Sequence, residues 1–307
     1  MAYQLLTYET AQGPRGAVHV DKYVYDLSDV TGNSSYSSVV DALKEWDDIR
    51  PQLEQFARDP ASSKTRPRLL SEVKLLAPNP TPGAVFCAGG AYNDHGGEMD
   101  KILKLKPAPT LKERGERPFF FLKNATGVCG PNSTTRLDPH ISTADWELEL
   151  CVVIGRKAKN VPEEKALDYV AGYTVGNDLS YREYIRRDAL SPGEPFYYDW
   201  FSQKCFDSSC PTGPWIVPTR QVEDPQNLDL KLWVGDELMQ NTSTSHMIFP
   251  VAEQLATLSR QLTLHPGDII MTGTGGGVGL GRGRFLQPGE TLRASIENVG
   301  EFVHHIG

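Results

Sequence analysis

No stretch of the 307-residue sequence approaches the roughly 20 consecutive apolar residues that a membrane-spanning helix needs. The first residues, MAYQLLTYETAQGPRG, lack the apolar run of a secretory signal, so export is not expected. Positive charge is also scarce. Thirty-one Lys and Arg face 39 Asp and Glu, a formal net charge of −8, so nothing in the overall charge favours nucleic acid or an anionic membrane as a partner. The five cysteines, Cys87, Cys129, Cys151, Cys205 and Cys210, are odd in number and form no CxxC pair, which argues against a disulfide framework and a zinc site. No repeat, heptad or low-complexity tract occurs. These absences leave a cytoplasmic, reduced globular enzyme as the expectation.

What is present divides near residue 75. In residues 1–75, YQLLTYE, GAVHV and KYVYDLS read as short strands between polar turns. A helix capped by Ser38 is expected to follow, with Pro51 breaking or kinking it. Residues 76–307 carry many short strands and few helices, VPEEKALDYV and SHMIFPVAEQLATLSRQL being the two helical candidates. This pattern points to an α+β, mainly β fold built on an open barrel or rolled sheet. The Lys- and Arg-rich stretch 99–118 reads equally as a solvated loop or as an active-site lid that attracts anions.

Three clusters bear on chemistry. In DWELELCVV, Glu147 and Glu149 are two apart, which places both on one face of a strand. A solvent-facing edge is the commoner reading of that spacing taken alone. A divalent cation between the two carboxylates is the other, with Asp178 at the end of the next strand as third ligand. In CAGGAYNDHGGEM, His95 and Glu98 have the spacing of neighbours on a helical turn, which suits a carboxylate-oriented general base; a capped surface turn has the same spacing. The stretch IIMTGTGGGVGLGRG lacks the Gly-Lys-Ser/Thr of a phosphate loop and has no GxGxxG register. Thr272, Gly273 and Thr274 can still offer hydroxyls and N–H groups to an anion. His304 and His305 are expected in solvent, Cys151 in the core, and Trp146, Trp200 and Trp215 in packing, with Tyr197 and Tyr198 as candidates to line a pocket.

Taken in order, these blocks resemble the fumarylacetoacetate hydrolase family over roughly residues 80–307. The resemblance rests on VFCAGGAYNDHGGEM, on DWELELCVVIGRKAKNVPEEKALDYVAGYTVGNDLSYRE, on FDSSCPTGPWIVP and on two C-terminal blocks. It implies a mixed β-roll, preceded here by a small N-terminal α/β domain, and a homodimer. It implies a divalent metal, Mg²⁺ (or Mn²⁺ or Ca²⁺), held by Glu147, Glu149 and Asp178. His95 and Glu98 fall on the water-activating dyad, Lys204 on the catalytic lysine, and Tyr92, Arg182 and Thr274 on substrate-binding positions. The implied activity is hydrolytic C–C cleavage of a β-diketo acid or acylpyruvate. Decarboxylation, isomerisation or tautomerisation of a 2-keto acid on the same metal site is the alternative, and a non-catalytic binding protein a distant third. The sequence departs from the family in three places. Ala91 stands before Tyr92 where Asn is common. Gly275 replaces the proline of the TGTP turn, which predicts a looser turn. Ile185 stands where the family has glutamine, which predicts a different or bulkier substrate.

Overall fold

The computed structural model describes residues 2–62, 65–94 and 109–307. Its elements are β1 (Gln4–Thr10), β2 (Gly13–Val20), β3 (Tyr23–Asp26), α1 (Trp46–Arg58), β4 (Val85–Gly89), β5 (Phe119–Lys123), β6 (Leu148–Ile154), β7 (Val170–Asn177), α2 (Trp200–Lys204), β8 (Cys210–Pro218), β9 (Asp229–Val234), β10 (Glu237–Ser243), α3 (Val251–Gln261), β11 (Ile269–Thr274), β12 (Thr291–Ile296) and β13 (Gly300–Ile306), with shorter pieces between them.

Most strands join one mixed sheet, in the order β3-β2-β1-β8-β7-β6-β11-β4-β5, extended beyond β3 by Arg68–Leu69. The order has two ends, so the sheet does not close into a barrel. The fold is α+β and mainly β, as the strand-rich pattern predicts. A second sheet runs β10-β9-β12-β13 and ends on Thr134–Thr135. The N-terminal strands belong to the first sheet, because β1 pairs with β8 at Leu5–Ile216.

Alternation along β6 explains how the layers form. Leu148, Leu150, Val152 and Ile154 enter one core cluster with Leu230, Leu232, Val234, Leu292, Ala294 and Ile296 of the second sheet. Val153, on the opposite face, joins Ala171 and Ile216 under Val39, Leu43, Trp46, Ile49 and Leu53 of the N-terminal helices. Each such side chain removed from water is worth about 1.5–3 kcal/mol. A strand buried on both faces carries a near-continuous apolar run, which is why Glu149 stands out within it.

Local signals mostly act where the sequence places them. Ser38 caps the helix Val39–Lys44, its hydroxyl accepting from Asp41 N while the Asp41 carboxylate accepts from Ser38 N. A break at Glu45 separates this helix from α1, and Pro51 lies inside α1. VPEEKALDYV forms a 3₁₀ turn, Glu163–Tyr169, in place of a full helix. α3 begins only after Pro250, which lacks the N–H needed inside a helix, so the preceding SHMIF stays outside it. Among the described residues no helix is long and apolar enough to cross a membrane.

One expectation is overturned. His304 is fully buried, with Nε2 2.6 Å from Thr135 Oγ1 and Nδ1 3.3 Å from Ser133 Oγ. The C-terminal strand pairs on both sides, with β12 and with Thr134–Thr135, so alternate residues of it face inward. His304 points in, and His305 is partly exposed.

Candidate active site

The site forms where several strand ends meet. β6 runs antiparallel to both β7 and β11, so its start lies beside their ends. Leu148 pairs with Asn177, and Glu149 pairs with Gly176 on one side and Thr274 on the other. β4 is parallel to β11 and ends at the same edge, where Gly89 pairs with Phe119 at the start of β5. The backbone beyond β6 and β7 stays joined, Asp178 N donating to Glu147 O at 2.8 Å, while Glu147 N donates to Asn177 Oδ1.

This arrangement brings Glu147, Glu149 and Asp178 together. One carboxylate oxygen from each lies within 4.8 Å of the others, and all three residues are buried. Burial pushes the Glu149 carboxyl well above the usual range, and the neighbouring charges of Asp178 and Glu147 push it further. Lys204 and the N–H of Gly273, which donates to Glu149 Oε2 at 2.7 Å, offset this only in part.

Cations surround the carboxylates. Lys204 Nζ donates to Glu147 Oε2 and to Asp178 Oδ2, both at 2.7 Å. Burial alone would lower the pKa of this ammonium, but Asp178 and Glu147 outweigh it and leave it raised. Lys123, from β5, donates to Asp178 Oδ1 at 2.6 Å and to the carbonyls of Leu179 and Lys204. Arg182 pairs with Asp145 Oδ2 at 2.7 Å and Glu147 Oε1 at 2.6 Å. Burial opposes its charge, but Asp145 and Glu147 raise its pKa above the ordinary arginine value. Among the described residues, the four carboxyl groups of Asp145, Glu147, Glu149 and Asp178 outnumber the three cations Lys123, Arg182 and Lys204. A donor set made only of carboxylate oxygens suits a hard divalent cation, and the raised Glu149 carboxyl marks where its charge would act.

A cavity of about 160 Å³ opens on this cluster. Glu147, Arg182, Lys204, Gln203 and Thr274 supply its polar lining. Phe121, Ile185, Trp200, Leu280 and Ala88 supply the apolar wall, and Gly89 and Gly90 complete it. Trp200 stacks on Phe121 with ring centroids 5.0 Å apart, and Lys204 Nζ lies 5.1 Å from the Phe121 ring. Gln203 is buried, and neither of its side-chain polar atoms has a hydrogen-bond partner among the described residues. Such an unmet group costs about 1–3 kcal/mol.

The described residues singled out from the sequence have definite places. Glu147, Glu149, Asp178 and Lys204 converge, and Thr274, Arg182 and Ile185 line the cavity. Tyr92 is fully buried and is not among the lining residues; its backbone bridges to Met247. His95 and Glu98 lie outside the described residues, as do 99–108 of the basic stretch. Tyr197 and Tyr198 do not line the cavity, whereas Trp200 does. Cys151 is in the core, as expected. The donors of the Thr-Gly-Thr turn are committed within the protein: Thr272 Oγ1 donates to Leu150 O and Thr274 Oγ1 to Leu148 O. The turn is tightly packed and not loose, because a Cβ on Gly275 would lie 2.4 Å from Thr242 Oγ1.

Sequence reasoning missed Lys123, Asp145, Gln203 and Gln240. Gln240 locks the start of β6 to the end of β11, accepting from Leu148 N at 2.9 Å and donating to Thr274 Oγ1 at 2.8 Å. Lys123 had a signal, a single charge closing the apolar run PFFFLK. Asp145 holds Arg182 while accepting from the N–H groups of Gly279 and Leu280. Nothing local to Gln203 announces it.

Comparison with known proteins agrees with this geometry. The profile described as fumarylacetoacetate (FAA) hydrolase C-terminal matches residues 84–307. A mitochondrial oxaloacetate tautomerase of Xenopus laevis is 31% identical over 304 residues, covering 98% of this chain and 89% of that protein. The crystal structure of maleylpyruvate hydrolase from Sphingobium sp. SYK-6, in complex with manganese(II) and pyruvate, superposes with a TM-score of 0.73 at 27% identity, covering 98% of both chains. That of 2-hydroxyhepta-2,4-diene-1,7-dioate isomerase from Mycobacterium marinum gives 0.72 at 28%, covering 99% and 97%. The chain belongs to the fumarylacetoacetate hydrolase family, whose members carry the names of hydrolases, isomerases and tautomerases.

Proposed function

We propose that this chain is a divalent-metal-dependent enzyme that cleaves the C–C bond of a small β-diketo acid, such as an acylpyruvate, by hydrolysis. The observation that carries the reading is the buried triad Glu147, Glu149 and Asp178, beside a small cavity that Glu147 lines. The manganese and pyruvate bound by the Sphingobium relative support both the class of metal and the class of ligand. The triad would hold Mg²⁺, Mn²⁺ or Ca²⁺, and the ion would act as a Lewis acid toward the oxygens of the keto acid.

The residues of the chain divide the remaining work. Lys204 places a permanent positive charge against two of the three carboxylates, where it stabilises negative charge as it develops on a substrate oxygen. Lys123 orients Asp178 through its hydrogen bond to Oδ1. Arg182, fixed by Asp145, holds Glu147 and presents one face to the cavity. Phe121, Trp200, Ile185 and Leu280 exclude water from the apolar part of the ligand. On the strength of the sequence resemblance, His95 oriented by Glu98 takes a proton from water. The resulting hydroxide attacks the distal carbonyl, the C–C bond breaks toward the 2-keto acid, and the enolate so formed takes up a proton.

A second reading, keto–enol tautomerisation, is favoured by the Xenopus oxaloacetate tautomerase, which aligns along nearly the whole chain. It needs the same enolate stabilisation and no attacking water. Decarboxylation of an oxaloacetate-like acid shares that step. Incubating the Mn²⁺- or Mg²⁺-loaded protein with acetylpyruvate and with oxaloacetate separates the readings. Release of acetate and pyruvate marks the hydrolase. Faster decay of enol-oxaloacetate without loss of carbon marks the tautomerase, and carbon dioxide release marks the decarboxylase. No metal-dependent turnover of any keto acid would overturn the proposal. A homodimer belongs to the same proposal, and light scattering on the purified protein checks it.

A further inference from the structure

Gln203 precedes Lys204 on α2 and is wholly buried, yet it lines the cavity. Neither its Oε1 nor its Nε2 has a hydrogen-bond partner among the described residues. The backbone around it is held on both sides. Gln203 N donates to Asp199 O at 3.2 Å, Ser202 N to Asp199 Oδ1 at 3.0 Å, and the next residue is anchored through its ammonium on Glu147 and Asp178.

The polar lining around it is already engaged. The Thr274 hydroxyl donates to Leu148 O and accepts from Gln240. Arg182 is paired with Asp145 and Glu147, and Lys204 with Glu147 and Asp178. Among the described lining residues Gln203 is the one side-chain amide, and Phe121, Ile185, Leu280 and Ala88 are hydrocarbon. A donor and an acceptor kept dry and unmet beside a charged cluster are complementary to a ligand that supplies both.

We propose that Gln203 binds the substrate's second oxygen, the one remote from the keto-acid end that faces the carboxylate cluster, and selects 2-keto acids that carry it. The proposal rests on the keto-acid reading above. In a β-diketo acid that oxygen is a carbonyl in one tautomer and a hydroxyl in the other. Gln203 Nε2 donates to the carbonyl form, and Oε1 accepts from the hydroxyl form. A lysine or a carboxylate would serve only one of the two, and either would change the charge balance of the cluster. A 2-keto acid with a plain alkyl chain leaves both Gln203 atoms unmet on binding and is rejected for that reason.

The test compares two ligands that differ only in this oxygen: acetylpyruvate (2,4-dioxopentanoate) and 2-oxopentanoate. Both are titrated calorimetrically into Mn²⁺-loaded protein, wild type and Gln203→Met, with Gln203→Glu as a second variant. The wild type is expected to prefer acetylpyruvate by about tenfold or more. Gln203→Met is expected to bring the preference within about threefold by weakening acetylpyruvate alone, and its ligand-free melting temperature is not expected to fall. Gln203→Glu, which keeps acceptors but loses the donor, is expected to lose the carbonyl ligand more severely. An unchanged preference in Gln203→Met overturns the inference. Equal weakening of both ligands with a lower melting temperature makes Gln203 a packing residue and overturns it too. If the wild type binds neither acid, the keto-acid reading itself has failed. If it binds both with equal affinity, only the assignment of Gln203 has.

Discussion

The Lys204 ammonium lies 2.7 Å from Asp178 Oδ2, and both groups are out of reach of solvent. The same nitrogen reaches Glu147, so one cation bridges two of the three clustered carboxylates. A buried ion pair of this kind contributes little net stability against an apolar replacement, but removing one partner leaves an uncompensated charge. Lys204→Met is therefore expected to lower the stability of the metal-free protein by about 3–5 kcal/mol. Added Mn²⁺ should recover part of that loss. Turnover should fall by about 10²–10³-fold even at saturating metal, the scale of losing one preorganised electrostatic partner. Denaturant melts with and without metal, alongside a rate assay, check all three.

Glu149 predicts the opposite sign of stability change. Its carboxyl is raised by burial and by the charges of Asp178 and Glu147. Glu149→Gln replaces a carboxyl whose ionised form burial disfavours with a neutral group of the same shape, so the metal-free protein should melt at an equal or higher temperature. The stabilisation that Mn²⁺ gives the wild type should vanish in the variant, because binding to the native state alone raises stability by mass action. Thermal melts across a metal titration read both effects.

Gly273 turns the end of β11 so that its N–H meets Glu149. Its φ of +92° is open to glycine, and a Cβ there would stand 2.7 Å from the Ala91 Cβ. Gly273→Ala is expected to cost about 1–3 kcal/mol in backbone strain. It should also weaken metal binding, because the strained backbone shifts the N–H at position 273 away from the Glu149 carboxylate. Calorimetry of Mn²⁺ binding, compared with the melt, separates the two.

His304 gives the protein a pH response away from the site. Burial, with a smaller contribution from His305, lowers its pKa from 6.5 to about 4. The unfolded chain takes up that proton near pH 6.5 and the folded chain does not until near pH 4. This contribution to stability is intact above about pH 6.5 and is lost as the pH falls toward 4, by about 3 kcal/mol. His304→Gln should flatten the stability profile across that window in urea melts.

Much of the site was legible because its signals are local. Glu147 and Glu149 share a face by strand alternation, and Asp178 follows the end of the next strand. Antiparallel pairing alone then brings that end to the start of β6. The family blocks pointed to Lys204 and Thr274. What sequence could not show depends on pairing across distance. Lys123 reaches Asp178 only because β5 closes the edge of the sheet, and Asp145 reaches Arg182 across 37 residues. His304 looked solvated because it lies three residues from the C-terminus, yet its strand is paired on both sides. Ile185 was marked by its departure from the family blocks and lines the cavity, while Gln203, which lines the same space, carries no local pattern at all.

The central claim is that Glu147, Glu149 and Asp178 hold a divalent cation that the reaction requires. Titrating Mn²⁺ into chelator-stripped protein, with free Mn²⁺ followed by electron paramagnetic resonance, tests it most directly. The account predicts one tight site per chain in the wild type, its loss in Asp178→Asn and Glu149→Gln, and turnover of a keto acid that rises in step with occupancy. A chelator-stripped wild type that keeps full activity, or variants that bind Mn²⁺ as tightly as the wild type, would contradict it.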